Sequence, residues 1–352
     1  MNTLLAAAHD VRPDAAKTIV LSCNAQWRDR LTRILEADGQ AIIVCEASSA
    51  ETVFTYLKNN VVDAIVVDPH ALRERSSETI RAWTRQDPVA VIVASHDPVT
   101  AVEALSAGAI IATPTPDSDD LGSPKAHQLR KAVATALTSR AVYRPPTSLH
   151  TLPDLPFTRA EQRTIAIVAG IGGAASLESL IAHLPPSVPG IVAMLDIHPA
   201  WLDALAKRLD RVGVLDVTVG SNGDYLRPGT VCLTPTDRQV TVSRSSDGQF
   251  ILRVGERLTA PPSPEAFLRS IGANARSSAL GVLLGTHDEG AARGLRIVAE
   301  NGGRILVEDP ETAVASSAGA LALREGIVSE ATELRRLPWR ILEEALTSVF
   351  EK

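Results

Sequence analysis

The sequence predicts an α/β protein made of two doubly wound domains. Three observations predict it. Short apolar runs alternate with stretches of helical periodicity twice over, first between Thr18 and Arg140 and again from Thr164. Pro145, Pro146, Pro153 and Pro156 interrupt the pattern between the two series. One later stretch, centred on Asp247-Gly248, alternates apolar and polar residues instead. Wholly apolar strands that alternate with helices belong to parallel sheets covered on both faces. Strict alternation around Asp-Gly belongs to an antiparallel hairpin.

The first series opens with TIVLS, a strand-length apolar run. NAQWRDRLTRILEADG follows with apolar residues at helical spacing and Gly39 as a stop signal. AIIVCEA, DAIVVD, VAVIVAS and AIIAT supply the next strands, with helices over SAETVFTYLKNN, SSETIRAWTRQ and TAVEALSAG between them. KAHQLRKAVATALTSR is a closing helix, which bounds this domain at 15–140. Residues 141–160 form a linker that its prolines stiffen. In the second domain, 161–352, TIAIVAG, GIVAMLD, DVTVG, ALGVLLG and GGRILVE read as strands of a parallel sheet. VCLTPTDRQVTVSRSSDGQFILRV reads as an antiparallel hairpin added to that sheet.

A chain of 352 residues is long enough for two cores of this size. Hydrophobic residues make up 45% but aromatics only 3%, so the cores must be packed from Ala, Val and Leu. A formal charge of -6 offers no basic field to nucleic acid or anionic lipid. No run approaches the roughly 18 apolar residues of a membrane span. The start, MNTLLAAAHDVRPDAAK, lacks a basic n-region and reads as a short lead rather than a signal peptide. Cys23, Cys45 and Cys232 are too far apart for a metal knuckle and too few for a disulfide framework. They read as buried or half-buried thiols in a reducing cytoplasm.

Thr18 to Arg140 resembles a response-regulator receiver of the flavodoxin-like type. The resemblance makes Asp68, in IVVDPHAL, the phosphoacceptor equivalent at the end of the third strand. It implies Mg²⁺ held by an acidic pair after the first strand, because charge accumulates on the phosphoryl oxygens. Here those positions are Ser22 and Cys23, and a hydroxyl with a thiol does not replace two carboxylates around a hard cation. The family's switch Ser/Thr falls on Ala94, with Ser95 next to it. Its Lys-Pro falls on Thr115-Pro116. Only the acceptor survives, so the domain reads as a pseudo-receiver without efficient phosphorylation or Mg²⁺ binding.

Thr164 to about Phe350 resembles the catalytic domain of CheB-type chemotaxis methylesterases. GDYLRPGTVCLTP, PPSPEAFLRSIGANA and GLRIVAENGGRILVEDPETAVASSAGAL carry the resemblance along the whole domain. The family's Ser-His-Asp chemistry does not carry over. Its nucleophile loop G-A-S-T-G-G corresponds to Val168-Ala169-Gly170-Ile171-Gly172-Gly173, with Gly170 where the serine belongs. Its histidine in Q-H-M-P-P corresponds to Asp196, and His198, two residues on, is the candidate for a displaced base. The plainer reading of His198 is a loop histidine after a strand. The family's T-G-M-G-x-D-G becomes Gly285-Thr286-His287-Asp288-Glu289-Gly290, so Asp288 or Glu289 stands where the orienting acid belongs. Its G-M-P becomes Ser317-Ala318-Gly319. Removing the serine or histidine of such a triad costs about 10⁶ in kcat.

Other patterns are weaker. Gly170-x-Gly172-x-x-Ala175 after a strand, with Asp196 ending the next one, also fits a dinucleotide fingerprint, which would make Gly170, Gly172 and Gly173 an anion-binding turn. His287, Asp288, Glu289 and His198 lack the spacing of a metal site. Asp117 to Asp120 read as a solvated loop tip. The expected function is a non-catalytic adaptor or regulator in a bacterial chemosensory pathway, in the chemotaxis or type IV pilus setting. The resemblance implies a chemoreceptor, a CheA-type histidine kinase or another regulator as partner. It also implies a cytoplasmic location with recruitment to receptor arrays. No cofactor, nucleic acid or membrane insertion is expected. An active protein-glutamate methylesterase with a non-standard site, and a nucleotide- or anion-sensing module, are the alternatives.

Overall fold

The computed structural model describes residues 15–86, 89–138 and 163–347. The linker expected at 141–160 and the lead before residue 15 lie outside the described residues. The chain divides into two compact units, Met1–Ala141 and Val142–Lys352.

In the first unit, five strands and five helices alternate: β1 (Ala16–Leu21), α1 (Ala25–Glu36), β2 (Ala41–Ala47), α2 (Ala50–Leu57), β3 (Ala64–Val67), α3 (Ser76–Gln86), β4 (Ala90–Ser95), α4 (Pro98–Ser106), β5 (Ile111–Pro114) and α5 (Pro124–Leu137). The sheet order is β2-β1-β3-β4-β5 and every pairing is parallel. Every residue of β3 and β4 is buried, which is why both read as unbroken apolar runs. The Asn24 side chain accepts the Gln26 and Trp27 N–H groups and so starts α1. Gly39, at φ 67°, lets the chain turn back after it. Ile19, Leu21, Ile65, Val67, Val91 and Val93 meet Ile80 and Trp83 of α3 in the core. In this strand order the topological switch lies between β1 and β3, and ligands of open α/β sheets sit at the carboxyl ends of such strands. Ser22 and Asp68 are the residues found there.

The second unit contains β6 (Thr164–Ala169), α6 (Gly173–Ile181), β7 (Gly190–Leu195), α7 (Leu202–Leu209), β8 (Asp216–Val219), β9 (Thr230–Leu233), β10 (Arg238–Arg244), β11 (Phe250–Arg257), α8 (Pro264–Ala275), β12 (Ala279–Leu284), α9 (Glu289–Glu300), β13 (Arg304–Val307), α10 (Ser317–Arg324) and α11 (Leu337–Thr347). Six strands form a parallel sheet in the order β13-β12-β6-β7-β9-β8. The antiparallel hairpin is present as β10–β11, a two-stranded sheet of its own. Its Val240, Val242, Phe250 and Leu252 share a core with Phe267, Leu268 and Ile271 of α8 and Leu295 and Val298 of α9.

One boundary differs from the sequence reading. Val231 to Leu233, taken as the front of the hairpin, belong to a parallel strand between β7 and β8. All three are buried, so two-residue alternation fails there. Pro235, which has no N–H to donate to a ladder, separates them from β10. The thiols also differ in part: Cys45 is half-buried and Cys232 buried as expected, but Cys23 is exposed. No helix among the described residues is long and apolar enough to cross a membrane. In the large sheet, the chain leaves β6 first towards β7 and later reaches β12 on the other side. The switch point therefore lies between the carboxyl ends of β6 and β12.

Candidate functional site

The first switch point is closed around Asp68. Its Oδ2 accepts the Ser22 hydroxyl at 2.9 Å and its Oδ1 accepts the His70 N–H at 3.1 Å. The second bond makes Asp68 the cap of the short 3₁₀ turn Pro69–Arg75. Arg28, one turn into α1, donates to the Ser22 carbonyl at 2.7 Å. Ala94 is buried and carries no hydroxyl, while the Ser95 hydroxyl accepts the Asp97 N–H at 3.1 Å. Thr115 is buried beyond β5. Lys125, from the start of α5, pairs with Asp117. Asp119 takes Arg30 and Arg33, so the acidic loop is exposed but ion-paired rather than merely solvated.

These groups do not suit Mg²⁺. The cation needs anionic or carbonyl oxygens in near-octahedral array. Ser22 uses its hydrogen on Asp68, and Cys23 offers a soft sulfur. Among the described residues, no group of three or more His, Cys, Asp or Glu side chains is arranged to hold a metal ion.

The second switch point is closed by packing. Gly170 follows β6 and its N–H donates to the Gly285 carbonyl, just beyond β12, at 3.0 Å. A Cβ built on Gly170 would lie 2.4 Å from Thr286 Cβ and 2.5 Å from its Oγ1. Thr286 is itself buried. It cannot retreat freely, because its carbonyl accepts the Ala318 N–H and its Oγ1 the Asp288 N–H, both at 3.1 Å. Next along the turn, Gly172 adopts φ 76° and faces Val314, whose Cβ would be 2.7 Å from a Cβ at residue 172. The Gly173 N–H donates to the Gly170 carbonyl at 2.8 Å. Two of the three amides expected to serve an anion are thus already paired within the backbone.

The remaining predicted positions make local contacts. The register of Ala169 with Leu195 sets Gly170 and Asp196 on neighbouring strand ends. Asp196 is exposed and its N–H donates to Ala169 O at 3.0 Å. His198 caps the short 3₁₀ turn Pro199–Trp201: its Nδ1 accepts the Ala200 N–H at 3.3 Å. Its ring packs on buried Trp201 with centroids 5.1 Å apart. Asp288 is the N-cap of α9, with Oδ1 accepting the Gly290 N–H at 2.8 Å. Glu289 pairs along the same helix with Arg293 at 3.9 Å.

Two features of this crevice have no counterpart in the sequence reading. Glu308, at the end of β13, is 4% exposed, and its Oε2 accepts the Gly285 N–H at 2.8 Å. Burial, together with the neighbouring Asp309, pushes its carboxyl up to about 7. A charged residue closing the apolar run RILV was the available signal. The other is a contact between His287 Nδ1 and Ser317 Oγ at 2.8 Å. Thirty residues separate the two, so only the fold brings them together.

Comparison with known proteins identifies a family for the second unit. The family model described as CheB methylesterase matches residues 165–341. The chain is 27% identical over 342 residues to the protein-glutamate methylesterase/protein-glutamine glutaminase 4 of Anaeromyxobacter dehalogenans, covering 94% of this chain and 95% of that one. It is 25% identical over 351 residues to the protein-glutamate methylesterase/protein-glutamine glutaminase of group 3 operon of Rhodopseudomonas palustris, covering 93% and 95%. Among solved structures, the Thermotoga maritima CheB methylesterase catalytic domain matches at 24% identity with a TM-score of 0.48, over 51% of this chain and 97% of that one. The chain belongs to the CheB methylesterase family, with a receiver-like domain ahead of the family domain.

Proposed function

We propose that this chain is a non-catalytic adaptor or regulator of a bacterial chemosensory pathway. In this reading it is built on the frame of a receiver-linked protein-glutamate methylesterase, with receiver-like domain 15–140, linker 141–160 and methylesterase-like domain 161–352. One observation carries the reading: the space in which a side chain at residue 170 would begin is filled by Thr286. An acyl-enzyme needs a nucleophile with room for the acyl carbon beside it, and this position has room for neither. The receiver supports the same reading, since both Asp68 oxygens accept hydrogen bonds and the cation ligands are replaced. His198 is engaged as a turn cap, which argues against its service as a displaced base. The paired amides of Gly170 and Gly173 argue against nucleotide sensing at the turn.

A receptor, histidine kinase or further regulator of the chemosensory array is the expected partner. The test pairs two measurements on the full chain. Methylated chemoreceptor should release no methanol above a blank, beside an active family member as control. A pull-down from the native host should retrieve a chemosensory protein. Methanol release within about a hundredfold of the control overturns the reading, since loss of the triad's serine or histidine costs far more than that.

A further inference from the structure

Beside the closed crevice, one serine is set up as a nucleophile. Ser317 opens α10 and is exposed. A serine at a helix start ordinarily turns its hydroxyl onto the helix's own amides. Here the cap position, Ser316, makes no side-chain capping bond, and the Ser317 Oγ lies 2.8 Å from His287 Nδ1. His287 is half-buried on the loop after β12. Burial holds its pKa below the ordinary histidine range, so the imidazole is neutral at pH 7. In the tautomer with hydrogen on Nε2, the Nδ1 lone pair accepts the Ser317 proton. The Ala318 N–H, which donates to Thr286 O at 3.1 Å, fastens the helix start to the loop one residue away from the pair on each side. This is the nucleophile-and-base arrangement of covalent catalysis, on residues other than those the family's triad would use.

We propose that Ser317, with His287 as its base, is an acyl-accepting serine that reacts with activated acyl esters. Ser317 Oγ forms a bond to the acyl carbon while its proton passes to His287 Nδ1. The bond from the acyl carbon to the leaving oxygen then breaks, with its electron pair going to that oxygen. The oxygen takes the proton from His287 and departs as the alcohol. The products are acyl-Ser317 and neutral imidazole, and no oxidant or further reactant is required. The amide that follows Ser317 is already donated to Thr286 O, so the first oxyanion donor of a hydrolase is missing. Acylation and hydrolysis both lose that donor, but the acyl-serine ester has a far poorer leaving group than an activated ester, so the reaction stops at one acyl group per chain. Such a modified serine is compatible with a protein that does not turn over receptor methyl esters.

The probe is p-nitrophenyl acetate added to the full chain, with nitrophenolate followed by absorbance and the acetyl group located by peptide mass spectrometry. The expected result is release of about one equivalent with acetyl on the Ser317 peptide. Ser317→Ala should abolish that label. His287→Gln, which keeps a hydrogen-bonding partner for Ser317 but supplies no base, should slow labelling by about a hundredfold or more while leaving the melting temperature unchanged. The labelling rate should fall as His287 is protonated, at a pH lower than for an ordinary histidine base. Acetyl found on other side chains and absent from Ser317 overturns the proposal. So does labelling of Ser317 at an unchanged rate in His287→Gln, which would leave the contact a structural tie.

Discussion

The side chain of Thr286 occupies the volume where a side chain at Gly170 would start: their closest approach, with a Cβ placed on the glycine, is 2.4 Å. Placing a serine at residue 170 alone should therefore fail twice. Gly170→Ser should lower stability by about 1–3 kcal/mol through overpacking, read from the urea midpoint, and should release no methanol from methylated receptor. Adding Thr286→Gly should relieve the crowding and recover only part of that stability, because it also removes the Oγ1 that accepts the Asp288 N–H. If Gly170→Ser folds as well as the parent, the crowding argument is wrong.

The hydrogen bond from Ser22 to Asp68 predicts the behaviour of the receiver half. Acetyl phosphate with Mg²⁺ should leave Asp68 unmodified over minutes, as judged by intact mass. The double variant Ser22→Asp, Cys23→Asp supplies the two hard ligands that a phosphoryl-transfer cation requires. It should bind Mg²⁺ in a calorimetric titration where the parent does not. Rapid uptake of phosphate by the parent chain would contradict this account of the pocket.

Glu308 predicts a pH dependence of stability in its unit. Its carboxyl is raised from the usual 4.5 to about 7 in the folded chain. A group raised on folding contributes stability that is fully present below its unfolded value and is lost as pH rises through its folded value. Stability should therefore decline between about pH 4.5 and pH 7 and beyond, by at most about 3 kcal/mol. Glu308→Gln keeps an acceptor for the Gly285 N–H and removes the charge, so its urea midpoint should lose the parent's decline over the same window and exceed the parent's at pH 8. Parallel curves for the two proteins would show that Glu308 does not govern the slope.

The thiols should separate by burial. Cys23 is exposed and should react quickly with an aromatic disulfide reagent under native conditions. Cys232 is buried, and desolvation pushes its thiol up to about 11, so thiolate is scarce at pH 8. It should react only on unfolding. Fast reaction of Cys232 in the folded chain would mean that β9 opens far more readily than its packing indicates.

The strands of both sheets were legible because wholly buried runs such as Ala64–Val67 and Ala279–Leu284 leave no other reading for their length. The first strand end was legible too, since Asp68 and Ser22 each follow an apolar run. Thr230–Leu233 was not, because neighbouring alternation in Arg238–Arg244 masked a strand with buried residues on both faces. In the candidate site, Gly170 revealed a missing hydroxyl, but nothing near it in the chain announced Thr286, 116 positions later by number. Glu308 and the His287–Ser317 pair were hidden for the same reason. Sequence periodicity reports which face of an element is buried, and not which loop from another strand lies against it. Asp288 adds a role that the motif did not announce: its carboxylate caps its own helix.

The backbone bond from Gly170 to Gly285 bears on the history of the protein. It joins two loops by main-chain atoms, which no substitution at residue 170 other than proline removes, and a β-branched neighbour seals the join. A descendant that gained a hydroxyl at residue 170 would first pass through a crowded, weakened form before any second change made space. Selection would have to tolerate that intermediate without reward, so a lineage holding this arrangement has little chance of acquiring a nucleophile there.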